Sequence, residues 1–108
     1  MPHISEDQDV VTLINVFTVE PENQQPLVDL LVEATKTTMS RQPGYVSASF
    51  HASLDGTRVT NYAQWRTRED FEAIFSNPDV RPHMEEAAML AIGFEPHLYR
   101  VKFSHGPA

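Results

Sequence analysis

The strongest constraint on the fold is the segment from Val10 to Val19, which reads VVTLINVFTV. It is rich in β-branched residues and contains neither Gly nor Pro, so it predicts a β-strand. Side chains alternate across a strand, and both faces are apolar here: one carries Val11, Leu13, Phe17 and Val19, and the other carries Val10, Ile14 and Val16. A sheet face that water covers is normally polar. The pattern therefore predicts a homodimer in which two sheets meet face to face. The alternative is that the core of the same subunit extends around the strand and covers both of its faces.

The rest of the chain alternates between helical and extended patterns. Apolar residues recur at helical spacing from Leu27 to Thr38, until Pro43-Gly44 stops the pattern. The remaining predicted elements are strands at Tyr45–Ser53 and Arg58–Trp65 joined by a hairpin at Asp55-Gly56, helices at Arg68–Ser76 and Arg81–Ile92, and a last strand at His97–Phe103. Thr67 is expected to cap the second helix and Gly93 to end the third.

This order of elements predicts an α+β fold of the split β-α-β, ferredoxin-like kind with a four-stranded antiparallel sheet. A length of 108 residues suits one domain. We expect that domain at residues 10–103, with loose polar tails at residues 1–9 and 104–108.

Composition excludes several functions. Asp and Glu number 15 against 8 Lys and Arg, for a net charge of −7, so the surface repels phosphate backbones and nucleic acid is not an expected partner. The absence of cysteine removes thiol nucleophiles and thiolate metal sites. No apolar run is long enough for a membrane span, and the acidic start is unlike a signal peptide, so we expect a cytoplasmic protein.

Three polar side chains stand among apolar ones on the predicted strands. Asn15 lies on the same strand face as Leu13 and Phe17. Asn61 and Trp65 share a face of the third predicted strand, with a small alanine between them. An amide beside an indole N–H suits a flat substrate with oxygen substituents. The alternative for all three is structural: amides and an indole whose polar groups bond within the core.

His51 ends the second predicted strand, close to the third across the hairpin. Its imidazole could accept a proton near neutral pH, as a general base must, although a surface histidine is the simpler interpretation. The other histidines lack the spacing of a zinc site, so no metal is expected. Four glycines in the whole chain provide no phosphate-binding loop or dinucleotide motif.

The segment PGYVSASFHASLDGTRVTNYAQW, from Pro43 to Trp65, resembles the antibiotic biosynthesis monooxygenase superfamily and in particular its anthrone-oxidising members. The resemblance implies a dimeric α+β barrel with one cavity per subunit. It also implies oxygenation of a phenolic, anthrone-like or quinol aromatic substrate by O₂ without flavin, heme or metal. It assigns catalytic roles to Asn61 and Trp65, as donors to a substrate oxyanion, and to His51, as an aid to proton removal.

Departures from the pattern of these relatives affect the predicted substrate-binding residues, which are Asn15, Phe71, Arg81 and His83. Phe71 stands where the anthrone enzymes have a tyrosine, and Arg81 is the nearest substitute for a helix arginine whose position is occupied by Glu85.

Asn15 and His83 match in position the asparagine and heme-ligating histidine of the heme-degrading branch, whose tryptophan is replaced here by Ile74. Three other functions therefore stay open: heme binding or degradation, a barrel that binds an apolar ligand without chemistry, and isomerisation of a small lactone.

Overall fold

The computed structural model describes residues 2–107 and contains one antiparallel sheet with helices on one face. The strands are β1 (Val11–Thr18), β2 (Tyr45–Ala52), β3 (Arg58–Trp65) and β4 (Gly93–Tyr99), in the spatial order β2-β3-β1-β4. The helices are α1 (Pro21–Thr37), α2 (Arg68–Ala73) and α3 (Arg81–Leu90), and short 3₁₀ turns follow α1 at Met39–Arg41 and α2 at Ile74–Ser76. The predicted ferredoxin-like α+β fold is confirmed.

Local sequence signals explain where several elements begin. Pro21 occupies the first turn of α1, where backbone N–H groups have no partner within the helix, so the N–H that proline lacks costs no hydrogen bond. The Thr67 hydroxyl accepts a 3.0 Å bond from the Asp70 N–H and caps α2, as predicted. Gly44 has a φ of +83° where the chain enters β2, and Gly56 has a φ of +82° in the hairpin between β2 and β3. These positions fix the entries to the elements that surround the core.

The last strand differs from the prediction. It was expected at His97–Phe103, but β4 spans Gly93–Tyr99, and Gly93 is its first residue rather than a helix stop. Helix α3 ends earlier than expected, at Leu90. Pro96 lies inside β4, although proline is excluded from central strands. Strand β4 lies at the edge of the sheet, where Pro96 is tolerated and faces Asn15 of β1.

Two clusters of buried side chains form the core between the sheet and the helices. One is built around Leu13, Ala63, Trp65, Phe71, Ile74 and Val80, and the other around Phe17, Val19, Leu27, Val59 and Ala87. Along the paired strands β1 and β3, Leu13 faces Ala63 in the first cluster, and Phe17 faces Val59 in the second. The pair between them is Asn15 and Asn61. A pair of amides therefore separates the two halves of the core.

In the part of the chain that the structure describes, the helices pack on one face of the sheet and leave its outer face without a helix. Ile14 and Val16 of β1 lie on this face and stay half-buried, whereas the helix-side residues Leu13 and Phe17 are buried. Part of the N-terminal segment predicted as a loose tail covers one end of the face, where the Gln64 amide donates to the His3 carbonyl at 2.6 Å. Across residues 2–107, none of the helices has the length and apolar character that a bilayer crossing requires.

Candidate active site

A cavity of about 180 Å³ lies between the sheet and the three helices. It occupies the gap that the two amides leave between the core clusters. Most of its wall is apolar, formed by side chains of all four strands, of α1 and α3, and of the segment around α2. The few polar side chains in this wall are therefore the ones that can orient a ligand.

Asn15 and Asn61 form the polar floor of the cavity. They face each other directly across β1 and β3, and both line the cavity. The side-chain oxygen of each is buried and has no hydrogen-bond partner. The structural interpretation of these amides required bonds within the core, and these two oxygens have none. Each is free to meet a polar group of a ligand.

Trp65 forms the adjoining wall and is only 2% exposed. Its ring packs edge-on against Tyr45, with centroids 5.8 Å apart, and against Phe71 at 6.0 Å. The aromatic contacts hold the indole plane, yet the Nε1–H is buried without an acceptor. The cavity therefore combines a fixed donor with two amides whose oxygens are unpartnered.

An unpaired buried polar group is destabilising, by about 1 to 3 kcal/mol. Among residues 2–107, four buried side-chain atoms lack a partner, and three of them belong to Asn15, Asn61 and Trp65 on the cavity wall. The fourth, the Thr12 hydroxyl, lies on the opposite face of the sheet. This concentration in one cavity is what a site for a polar aromatic ligand requires, because binding can satisfy all three groups at once.

Tyr45 also lines the cavity, and the sequence interpretation missed it. Ala48 and Phe50 face the cavity, so regular alternation along β2 places Tyr45 on the outer face. An irregularity in pairing between Tyr45 and Ser47 shifts the register and sets Tyr45 opposite Trp65. Burial raises the pKa of the Tyr45 phenol, which favours its neutral, hydrogen-bond-donating form. No sequence signal marks the bulge itself.

The predicted site residues divide into two groups. Asn15, Asn61, Trp65, Phe71 and His83 all line the cavity, so the structure brings these five together.

His51 and Arg81 are not brought into the cavity. His51 pairs with Thr60 on the outer face of the sheet and is exposed, so its imidazole lies on the side of β2 away from the cavity. Its neighbour Phe50 is the residue that faces Asn61. Arg81 is exposed at the first turn of α3. Within one chain, neither side chain is placed to contact a ligand beside Asn61.

The mouth of the cavity is apolar. Phe75, Met84 and Phe94 line the cavity and are also 47%, 37% and 56% exposed. Phe75 packs edge-on against Phe71, with centroids 5.2 Å apart, which ties the mouth to the inner wall. In the described part of the chain, no three His, Asp or Glu side chains are grouped so that they could hold a metal ion.

Comparison with known proteins gives consistent results. The sequence profile described as "Antibiotic biosynthesis monooxygenase" matches residues 10–86. The chain is 48% identical over 85 residues to the tetracenomycin-F1 monooxygenase of Streptomyces glaucescens, an alignment that covers 79% of this chain and 76% of the relative.

Solved structures share the fold. A monooxygenase from the gene ActVA-Orf6 of Streptomyces coelicolor, in complex with nanaomycin D, superposes with a TM-score of 0.85 at 26% identity, covering 97% of this chain and all of the other. SnoaB, a cofactor-independent oxygenase from Streptomyces nogalater, superposes with a TM-score of 0.78 at 23% identity, covering 90% of this chain and 97% of the other. This second likeness is evidence of the fold alone.

Proposed function

This chain belongs to the antibiotic biosynthesis monooxygenase family, and from that premise we propose that it oxidises a phenolic, anthrone-like or quinol aromatic substrate to a quinone with O₂ and without a cofactor. The relatives support monooxygenase activity; the substrate class and the absence of a cofactor are part of the proposal. The observation that carries it is the set of unpartnered polar atoms on Asn15, Asn61 and Trp65 in an otherwise apolar cavity.

The size of the cavity favours a polycyclic substrate. An engineered apolar cavity of about 150 Å³ is large enough to bind benzene. At about 180 Å³ the present cavity holds the reacting ring with little room to spare. Further rings would extend through the mouth between Phe75, Met84 and Phe94, whose apolar side chains can cover them. The named compounds of the relatives, tetracenomycin F1 and nanaomycin D, support this substrate class.

The chemistry needs little from the protein beyond binding and charge stabilisation. An anthrone or phenol that loses a proton becomes electron-rich enough to reduce O₂. The carbanion then forms a C–O bond to oxygen, the resulting peroxide takes up a proton, and loss of water leaves a carbonyl. One substrate and one O₂ thus give one quinone and one water. In this mechanism the Trp65 Nε1–H, which has no acceptor in the ligand-free cavity, and the NH₂ group of Asn61 donate to the substrate oxyanion, and such bonds are strong in an apolar site. The Asn61 oxygen is an acceptor and bonds to a hydroxyl of the substrate.

Oxidation of dithranol in air tests the proposal. Purified protein should accelerate formation of the quinone above the rate in buffer, measured by absorbance. Trp65→Phe keeps an aromatic ring but lacks the N–H donor, and loss of one such donor lowers kcat by about 10²- to 10³-fold. Phe103→Leu, at an exposed position outside the cavity, is the matched control. Wild-type protein that does not exceed the buffer rate, or equal rates for wild type and Trp65→Phe, would rule out the proposed reaction.

Heme is the alternative ligand for the same cavity, and the residues present do not fit it well. The His83 imidazole, the candidate iron ligand, is held by its Nε2 atom against the Thr38 hydroxyl at 3.1 Å. Ile74 replaces the tryptophan of the heme-degrading branch and is buried in the core. A hemin titration distinguishes the two functions: a Soret band that disappears in His83→Ala would favour heme.

We also propose that the protein is a homodimer whose sheets pack through their outer faces. Ile14 and Val16 in the central strand β1 remain half-buried in a single chain, and Tyr62 of β3 lies beside them. A second copy would complete their burial. Light scattering should give twice the mass of one chain. Val16→Asp should shift the protein to monomer, whereas Lys36→Asp on exposed α1 should not. A wild-type monomer at micromolar concentration would refute the proposed dimer.

A further inference from the structure

The proposed reaction requires a base inside the cavity, because the substrate must lose a proton before it meets O₂. Of the cavity-lining residues among positions 2–107, only Tyr45 and His83 carry ionisable side chains; no Asp or Glu contributes to the wall. Burial raises the pKa of Tyr45, so its phenol stays protonated and serves as a donor. His83 is then the one lining side chain that can act as the proton acceptor.

His83 stands in the wall between the cavity and an outer groove. The same imidazole lines the cavity on one side and, on the other, the groove that contains Thr38, Arg41 and Asp79. Its Nε2 atom is 3.1 Å from the Thr38 hydroxyl, which lies on the groove side. One ring nitrogen is therefore already occupied away from the ligand.

A chain of hydroxyls on the Nε2 side of the ring favours one tautomer of His83. The Thr37 hydroxyl donates its only hydrogen to the Glu33 carbonyl at 2.9 Å. The Thr37 and Thr38 hydroxyls lie 3.3 Å apart, so a bond between them has Thr38 as its donor. In that arrangement Thr38 has no second hydrogen to offer His83, and the imidazole Nε2–H donates to Thr38. The neutral ring is then protonated on Nε2, with its free lone pair on Nδ1.

We propose that His83, held in the Nε2–H tautomer by Thr38, is the general base that takes the acidic proton of the substrate through Nδ1. This inference rests on the proposed function and assigns its first step. The proton moves from the substrate to Nδ1, leaving an imidazolium and a substrate anion. The imidazolium returns that proton to the peroxide formed with O₂, and loss of water completes the cycle with no net change at His83.

The charges around the ring are few. On the groove side the charged residues are Arg41 and Asp79, which have opposite signs, and on the cavity side the titratable residue is Tyr45. No lining carboxylate stabilises the imidazolium from within the cavity. The substrate anion itself is the counter-charge that the imidazolium meets, so proton transfer and oxyanion binding support each other.

The tautomer is tested without any turnover. In full-length protein labelled with ¹⁵N-histidine, the neutral form of His83 should show Nε2 protonated and Nδ1 unprotonated, identified by the disappearance of its signals in His83→Gln. Thr38→Val removes the acceptor and should increase the fraction of the Nδ1–H form. A wild-type ring protonated mainly on Nδ1 would overturn the proposal.

The base is tested with an inert phenol, 2-hydroxyanthraquinone, whose anion absorbs at longer wavelength than its neutral form. Bound to wild-type protein it should ionise at a pH at least one unit lower than when bound to His83→Gln or His83→Asn. Both variants keep a polar group but have no basic nitrogen. His105→Gln, in the exposed C-terminal segment, is the matched histidine control and should behave as wild type. Equal ionisation in wild type and both variants, or failure of the phenol to bind the wild type, would overturn the proposal.

Dithranol kinetics separate this inference from the proposed function. The His83 variants should lose about 10²- to 10⁴-fold in kcat/KM, the usual contribution of a general base. Phenol ionisation that depends on His83 without any dithranol oxidation would refute the oxygenase function alone. Dithranol oxidation that is unchanged in His83→Gln would refute the base alone.

Discussion

Replacing Asn61 by leucine is expected to stabilise the ligand-free protein while removing activity. The Asn61 side-chain oxygen is buried without a partner, which destabilises the fold by about 1 to 3 kcal/mol. Leucine removes the unpaired group, and its extra volume can enter the adjoining cavity of about 180 Å³. Allowing for some loss from imperfect packing, we expect a gain of about 1 kcal/mol. For a domain of this size that raises Tm by about 4 to 8 °C.

The same substitution removes the NH₂ group that is proposed to donate to the substrate oxyanion, so kcat with dithranol should fall by about 10²- to 10³-fold. Thermal unfolding and dithranol oxidation are measured on the same samples, at one protein concentration because dimerisation couples to Tm. Thr12→Val is the matched control: Thr12 is 2% exposed with an unpartnered hydroxyl, but it lies on the other face of the sheet. It should gain stability and keep full activity. An Asn61→Leu protein that is less stable than wild type, or as active, would refute the reasoning.

Three further predictions address other parts of the structure. Tyr45→Phe removes a neutral donor from the cavity wall and should weaken binding of a polycyclic quinone about three- to tenfold, measured by fluorescence quenching; unchanged affinity would mean that the hydroxyl does not contact the ligand. Gly44→Ala places an alanine in a left-handed backbone conformation, and its methyl group would clash with Asp70, so it should lower the free energy of unfolding by more than about 1 kcal/mol. Gly93→Ala is the control: there is open space around Gly93, and thermal unfolding should show little effect. Hydrogen bonds from Thr57 and Ser53 in the hairpin lower the pKa of Asp55 to about 2, compared with about 3.9 in the unfolded chain. The ionised carboxylate therefore stabilises the fold above about pH 4, and this stabilisation is lost as the pH falls through about 2. The stability difference between wild type and Asp55→Asn should accordingly shrink from about pH 4 downward and disappear below about pH 2. A difference that keeps its full size down to about pH 2 would contradict the assignment.

Much of the fold follows from local patterns. The two-faced apolar pattern of β1 and the Asp55-Gly56 hairpin predict strands, and the Thr67 cap predicts the start of α2. Each signal lies within a few residues of the element that it specifies. The position of β4 could not be predicted from a local pattern. A strand can contain Pro96 only if it lies at the edge of the sheet, and the order of the strands is a property of the assembled sheet.

The site was partly predictable for the same reason. Alternation along β1 and β3 places Asn15, Asn61 and Trp65 on one face, and the structure gathers them in one cavity. Tyr45 was missed because a bulge reverses its face. His51 was expected near Asn61 because the two are close across the hairpin, but it lies on the outer face, one residue out of phase with Phe50. Proximity along a hairpin does not determine the face of the sheet, whereas counting residues in the correct register does.

The central claim is that one oxygen atom of O₂ enters an aromatic substrate held beside Asn61 and Trp65. Single-turnover oxidation of dithranol under ¹⁸O₂, with mass spectrometry of the quinone, measures this directly. We predict one ¹⁸O atom per quinone, formed by protein treated with chelator, and loss of the labelled product in Trp65→Phe. Quinone without ¹⁸O, or labelled quinone formed equally well by the variant, would contradict the proposed mechanism.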